Sequence, residues 1–283
     1  MTLPNFLIIG AMKAGTTTVY EDLRAAPEVY FPPEKEPNDL VDPLIASAGR
    51  LERYSKKFAG SKGADVIGEA STAYTKRPLY EGVARRAVDV LGGDLRILYM
   101  VREPIARMVS QYHHEVGAGR AKDSINSVLL ADPTYVAFSR YAYQLEPWQK
   151  VLPSNQILVM SFERYVADKT SELSRIHAFL GLNPPITFDE VHRNASSSKS
   201  VVPEKGVWRS VMRSQAYQYG LKRLLSTSTR EAIKRIVLPK APRAIESLTD
   251  DTRRELMSRL SVDDVALYDA THAAPSFAEG AFQ

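Results

Sequence analysis

Short apolar runs alternate with helical patterns along the chain. The runs are Phe6-Leu7-Ile8-Ile9, Val29-Tyr30-Phe31, Asp65-Val66-Ile67-Gly68-Glu69 and Leu95 to Val101. Their apolarity is nearly continuous, which fits strands covered on both faces, as in a parallel sheet. Helical patterns cover Thr17 to Leu23, Leu51 to Phe58, Pro78 to Leu91 and the stretch opened by Pro104. A further helix over Lys169 to Leu180 is closed by Gly181 and followed by Pro184-Pro185. Near the end, Thr249-Asp250-Asp251 and Ser261-Val262-Asp263-Asp264 read as the caps of two more helices. The alternation predicts an α/β fold, with a central, mostly parallel sheet flanked by helices. One domain over residues 1–272 is expected, with a frayed tail over 273–283.

Composition narrows the classes of function. The 283 residues suffice for one full core, and 44% hydrophobic with 25% charged residues are ordinary globular values. Lys and Arg number 37 against 33 Asp and Glu, a balance of +4. That allows an anionic ligand, but no lysine-arginine run marks a nucleic-acid footprint, so a compact anion such as a nucleotide is the partner expected. The absence of cysteine excludes disulfides, thiolate metal sites and a cysteine nucleophile, and the five histidines show no HExxH spacing. With no basic segment leading an apolar run and no long apolar stretch, a cytoplasmic protein without a membrane span is expected. Oligomeric state leaves no mark in the sequence.

Two segments carry chemistry. In the first, Phe6 to Ile9 runs into Gly10-Ala11-Met12-Lys13-Ala14-Gly15-Thr16-Thr17-Thr18. Gly10, Ala14 and Gly15 let the backbone curl, and the helix opened by the threonines offers unpaired N–H groups to an anion. The nucleoside-triphosphatase loop is G-x-x-x-x-G-K-[ST], whereas here the residue after the second glycine is Thr16 and the lysine stands inside the loop at Lys13. Glycine spacing alone points to ATP; the displaced lysine does not. The second segment is Arg102-Glu103-Pro104-Ile105-Ala106-Arg107-Met108-Val109-Ser110-Gln111-Tyr112. Arg102 follows a strand and so points into the crevice at the strand ends, where its planar fork and the Ser110 hydroxyl suit a second phosphate. Arg107 shares the Ser110 face and either joins the ligand or pairs with Glu103.

These residues resemble those of the 3′-phosphoadenosine 5′-phosphosulfate (PAPS)-dependent sulfotransferases. Ile9 to Thr17 matches the family's 5′-phosphosulfate loop, and Arg102 to Tyr112 matches its R-x-P-x-x-R-x-x-S-x-Y motif for the 3′-phosphate. Lys35-Glu36-Pro37 matches the K-E-P of the branch that holds the heparan sulfate and the bacterial carbohydrate and small-molecule enzymes. Weaker likeness continues through Ser139-Arg140-Tyr141 with Trp148, Gln156 to Val159, Phe179 to Leu182 and Leu256 to Tyr268. The resemblance implies a P-loop-like sulfotransferase fold and transfer of a sulfuryl group from PAPS to an acceptor hydroxyl, or less readily an amine, with 3′-phosphoadenosine 5′-phosphate (PAP) released and no metal needed in principle. It also implies that Lys13, Ala14, Gly15, Thr16, Thr17, Arg102 and Ser110 bind the nucleotide, that Lys13 stabilises the leaving phosphate, and that Glu36 is the base, with Lys35 adding positive charge. Lys205 and Gly206 are implied as a loop that closes over the nucleotide.

Other readings stay beside this one. His113, His114 and Glu69 are rival bases, with Glu69 ranked second after Glu36. Heparan-type enzymes carry a lysine where this chain has Ala70, and Asn38-Asp39-Leu40 follow the K-E motif in place of histidine and aromatics. Both departures favour a small-molecule or less charged carbohydrate acceptor of the bacterial type. An ATP- and magnesium-dependent kinase predicts a glycine-lysine pair and a strand-ending aspartate, neither of which is found; a PAP-binding module without chemistry would not need Lys13, Glu36 and Arg102 together.

Overall fold

The computed structural model describes residues 1–182 and 247–273. Five strands, β1 (Phe6–Gly10), β2 (Val29–Tyr30), β3 (Val66–Ala70), β4 (Arg96–Val101) and β5 (Ile157–Ser161), form one sheet in the order β2-β3-β1-β4-β5. Every neighbouring pair is parallel, with Phe6 level with Gly68 on one side and Arg96 on the other. Residues Phe6 to Ile9 are at most 1% exposed, so the continuous apolar run is the central strand, covered on both faces. From β1 the sheet grows to both sides, and the carboxyl ends of β1, β3 and β4 open onto the crevice where ligands of such sheets bind.

The helices follow the cues in the sequence, with one clear exception. α1 (Thr16–Arg24) starts after Gly15, and α2 (Ala48–Lys56) lies a few residues earlier than its pattern suggested. The helix expected from Pro78 begins only at Val83, giving α3 (Val83–Leu91), because Gly82 takes a left-handed φ of 73° that a helix interior does not admit. Residues 78–80 instead fold back in a turn, with the Leu79 N–H donating to the Lys76 carbonyl at 2.8 Å. α4 (Pro104–Gly117) has Pro104 in its first turn and Glu103 as cap, its carboxylate accepting from the Ile105 and Ala106 N–H groups at 3.1 and 2.5 Å. Then come α5 (Ile125–Ala131), α6 (Thr134–Ala137), α7 (Tyr141–Gln149), α8 (Phe162–Ala167), α9 (Lys169–Leu180), α10 (Asp250–Ser258) and α11 (Val262–Ala273). α9 ends at Gly181 in the left-handed conformation, as its sequence predicts.

The Ser261 hydroxyl accepts from the Asp264 N–H at 3.2 Å, and the Asp264 carboxylate accepts from the Ser261 N–H at 3.2 Å, a reciprocal capping box at the start of α11. The fully buried Asp264 also accepts from the N–H groups of Ala142 and Tyr143 at 3.0 and 3.3 Å. One carboxylate thus caps two helices and fastens the C-terminal segment to α7. A satellite core of Ile105, Met108, Leu129, Tyr135 and Leu256 joins α4, α5, α6 and α10. No helix among the described residues is long and apolar enough to cross a membrane.

Candidate active site

The loop from β1 to α1 is a tight cradle. Lys13 holds a φ of 70°, a conformation that costs a residue with a β-carbon roughly 1–2 kcal/mol. Neighbouring bonds hold the turn. The Ala14 N–H donates to the Ala11 carbonyl at 3.1 Å, Arg102 Nη1 to the Lys13 carbonyl at 3.2 Å, and Arg107 Nη1 to the Met12 carbonyl at 3.3 Å. Gly15 is needed for its φ of 85° and for space, since a β-carbon there would lie 2.4 Å from Phe162 Cδ2. The Arg102 guanidinium sits over the same ring, 4.8 Å from its centre. Phe162, the first residue of α8, is therefore the floor under both the loop and the arginine. The first backbone bond of α1 runs from the Thr18 N–H to the Gly15 carbonyl at 2.9 Å, which leaves the N–H groups of Gly15, Thr16 and Thr17 outside the helical ladder. Ala14 is buried with its N–H used inside the loop, so it contributes compactness rather than a donor.

Lys13, Gly15, Thr16, Thr17, Glu36, Arg102 and Ser110 all line one cavity of about 1150 Å³. Pockets for a single small ligand run to roughly 300–1,000 Å³, so the space admits a nucleotide together with a second molecule. Arg102 lines the cavity, and its Nε is buried without a hydrogen-bond partner among the described residues.

Arg107 does something different from either role considered for it. Glu103 is occupied as the cap of α4, and Arg107, fully buried, reaches Ser139 Oγ at 2.5 Å, the Tyr135 carbonyl at 2.7 Å and Gln111 Oε1 at 3.0 Å besides the Met12 carbonyl. It ties α4 and α6 to the cradle.

The loop after β2 brings the base candidate to the cradle. Lys35 Nζ donates to Thr17 Oγ1 at 2.9 Å and to Glu36 Oε1 at 3.4 Å, which seats the Lys35-Glu36 pair at the start of α1. Glu36 Oε2 accepts from Thr72 Oγ1 at 3.4 Å, and the Glu36 N–H donates to the Ala70 carbonyl at 3.0 Å. Glu36 and Asn38 both hold a φ of 58°, a left-handed conformation uncommon outside glycine.

Glu69 explains how that shape persists. It is fully buried and does not line the cavity, which removes it from reach of an acceptor. Its carboxylate accepts from Ser71 Oγ at 2.7 Å and, by short bonds, from the hydroxyls of Tyr54 and Tyr74. Ser71 Oγ in turn accepts from the Asn38 N–H at 3.1 Å, and Tyr74 Oη from the Leu40 N–H at 3.3 Å. Backbone N–H groups can only donate, so both hydroxyls accept from the loop and give their protons to Glu69. Burial pushes the Glu69 carboxyl above the usual range, against the pull of its three hydroxyl donors. Of the histidines, His113 is exposed and away from the cavity, whereas His114 lines it from α4.

Lys76 also lines the cavity, and sequence reasoning missed it. Burial holds its ammonium pKa below the usual lysine value, against the opposing pull of the Glu36 charge. Its only signal was its place a few residues past the end of β3. Lys205 and Gly206 lie outside the described residues.

Comparison with known proteins agrees with this geometry. A family model described as a sulfotransferase domain matches residues 3–204. Mouse heparan sulfate glucosamine 3-O-sulfotransferase 3A1 is 31% identical over 202 residues, covering 65% of this chain and 47% of that protein. Mouse heparan sulfate glucosamine 3-O-sulfotransferase 5 is 28% identical over 206 residues, covering 69% of this chain and 58% of its own. The chain thus spans about half the length of these curated relatives. Among solved structures, a sulfotransferase from Alicyclobacillus acidocaldarius superposes with a TM-score of 0.67 at 24% identity over 98% of both chains, which shows the shared fold. Mouse sulfotransferase SULT7A1, solved with PAP, superposes with a TM-score of 0.51 at 15% identity, covering 96% of this chain and 89% of its own. With the family model matched over most of its length, the chain belongs to the sulfotransferase domain family.

Proposed function

We propose that the protein is a PAPS-dependent sulfotransferase acting on a hydroxyl, or less readily an amine, of a small-molecule or carbohydrate acceptor, with Glu36 as base. The observation that carries this reading is the Lys35–Thr17 bond, which seats Glu36 beside a cradle that Arg102 closes from the end of the neighbouring strand β4. The residues fit the nucleotide. The first-turn donors of α1, with Lys13, Thr16 and Thr17, suit the 5′-phosphosulfate, while the Arg102 guanidinium and Ser110 suit the 3′-phosphate.

PAPS, when bound, supplies a sulfuryl group on a phosphoanhydride whose other half leaves as PAP. Glu36 takes the acceptor proton as the acceptor oxygen bonds to sulfur, and Thr72 and Lys35 hold its carboxylate in place. Lys13 offsets the charge that grows on the departing phosphate oxygen as its bond to sulfur breaks. The chemistry asks for little beyond alignment and charge, as in phosphoryl transfer.

Calorimetric titration tests the assignment: PAP is expected to bind and ATP with magnesium to bind weakly, and a preference for ATP would sink it. Arg102→Ala is expected to weaken PAP by about 1.5–3 kcal/mol, the worth of hydrogen bonds to a charged group, and to leave adenosine 5′-phosphosulfate, which lacks the 3′-phosphate, nearly unchanged. Equal losses for the two ligands would show that Arg102 does not read the 3′ end.

A further inference from the structure

The cavity has a second half that the nucleotide contacts leave unused, and its chemistry is uneven. Thr72, in the short turn after β3, touches Glu36, so an acceptor hydroxyl has to arrive along this wall. Next along it stands Lys76, half-buried, with no carboxylate, carbonyl or hydroxyl in hydrogen-bond contact among the described residues. Beyond Lys76 the turn at residues 78–80 presents Leu79 and Tyr80 on the same cavity, 58% and 39% exposed. Few large apolar side chains are left so open among the described residues, and two adjacent ones on the lip of a cavity beside a cation form an amphipathic edge.

The charges of the remaining wall point the same way. With Lys13 and Arg102 assigned to the nucleotide, the basic lining residues among the described residues are Lys76, Arg120 and Lys122, three in all, against four acidic ones, Glu36, Glu115, Asp123 and Asp132. Arg120 is already paired with Glu115. A polyanion would meet, among the described residues, a wall with no positive excess to steer it.

We infer that this half of the cavity is an acceptor subsite for a small hydroxylated amphiphile carrying one anionic group, which Lys76 binds while the apolar body rests on Leu79 and Tyr80. The inference takes the sulfotransferase reading of the site as given. It sets the acceptor apart from a polyanionic glycan. Lysine serves as a point charge for a carboxylate, and the exposed leucine and tyrosine supply the area that a ring or short alkyl chain covers on binding.

The test is calorimetry on the PAP-loaded protein with three probes: 3-(4-hydroxyphenyl)propionate, 4-ethylphenol and a sulfated heparan oligosaccharide. PAP is titrated first; if it does not bind, the sulfotransferase reading falls and takes the subsite with it. With PAP bound, the propionate should bind about tenfold more tightly than the neutral phenol, and the oligosaccharide more weakly than both. Lys76→Met should erase the difference between the two phenols without changing PAP affinity, and Leu79→Asn should weaken both phenols alike. Tightest binding by the oligosaccharide, no binding by either phenol, or an equal effect of Lys76→Met on the two would overturn the subsite and leave the sulfotransferase reading standing.

Discussion

Glu36→Gln is expected to lower the turnover number by about 10²–10⁴-fold, the range supplied by a positioned general base, while PAP affinity stays within about twofold. The amide keeps the shape of the side chain and can still accept from Thr72, so the loop need not move. It cannot take a proton. Lys35 keeps its bond to Thr17, so the charge beside the cradle remains as well. The measurement is single-turnover sulfation with labelled PAPS beside calorimetric PAP binding on the same preparation. Undiminished turnover would hand the role of base to another group, and His114 is the imidazole placed to receive it, since it also lines the cavity.

Much of this arrangement was legible because the signals are local. A buried strand, a glycine-bearing turn and threonines opening a helix occupy Phe6 to Thr18, and each constraint acts between near neighbours. The Arg102 to Ser110 segment is equally compact: a strand end, a proline in the first helical turn and a hydroxyl two turns on. What could not be read depends on residues far apart in the chain. Phe162 lies under Gly15, and Arg107 bonds Met12 across 95 positions, because β4 pairs with β1 and β5 with β4 in the sheet. Sequence patterning left Arg107 either on the ligand or paired with Glu103, but capping the helix is the nearer use for that carboxylate. The early helix start at Pro78 failed for another reason. Proline marks where a helix can begin, but Gly82 decided where it does, and the turn left in between carries the exposed Leu79 and Tyr80.

The placement of Glu36 rests on a residue that never meets a substrate, and Glu69→Leu should expose this. Three hydroxyls give their protons to the Glu69 carboxylate, and two of them have accepted from the Asn38 and Leu40 N–H groups of the loop that carries Glu36. A leucine side chain offers no acceptor. The hydroxyl protons of Ser71 and Tyr74, like that of Tyr54, then lose their partner, and a stranded buried donor costs about 1–3 kcal/mol. That cost falls on the clamp that keeps Glu36 and Asn38 in their left-handed conformations, so the loop should relax towards ordinary backbone geometry. The proposed nucleotide ligands lie in the loop into α1, on α1, just after β4 and on α4, outside the clamp. Turnover should therefore fall by about 10–10²-fold, as expected for an ångström-scale displacement of a reacting group, with PAP affinity unchanged. Ser71→Ala removes only the link to Asn38 and should give a smaller loss in the same direction. Chemical denaturation of both variants separates the two consequences: a stability loss with full turnover would reduce Glu69 to a packing residue, whereas a turnover loss that exceeds any change in PAP binding shows that the buried carboxylate holds the base in line.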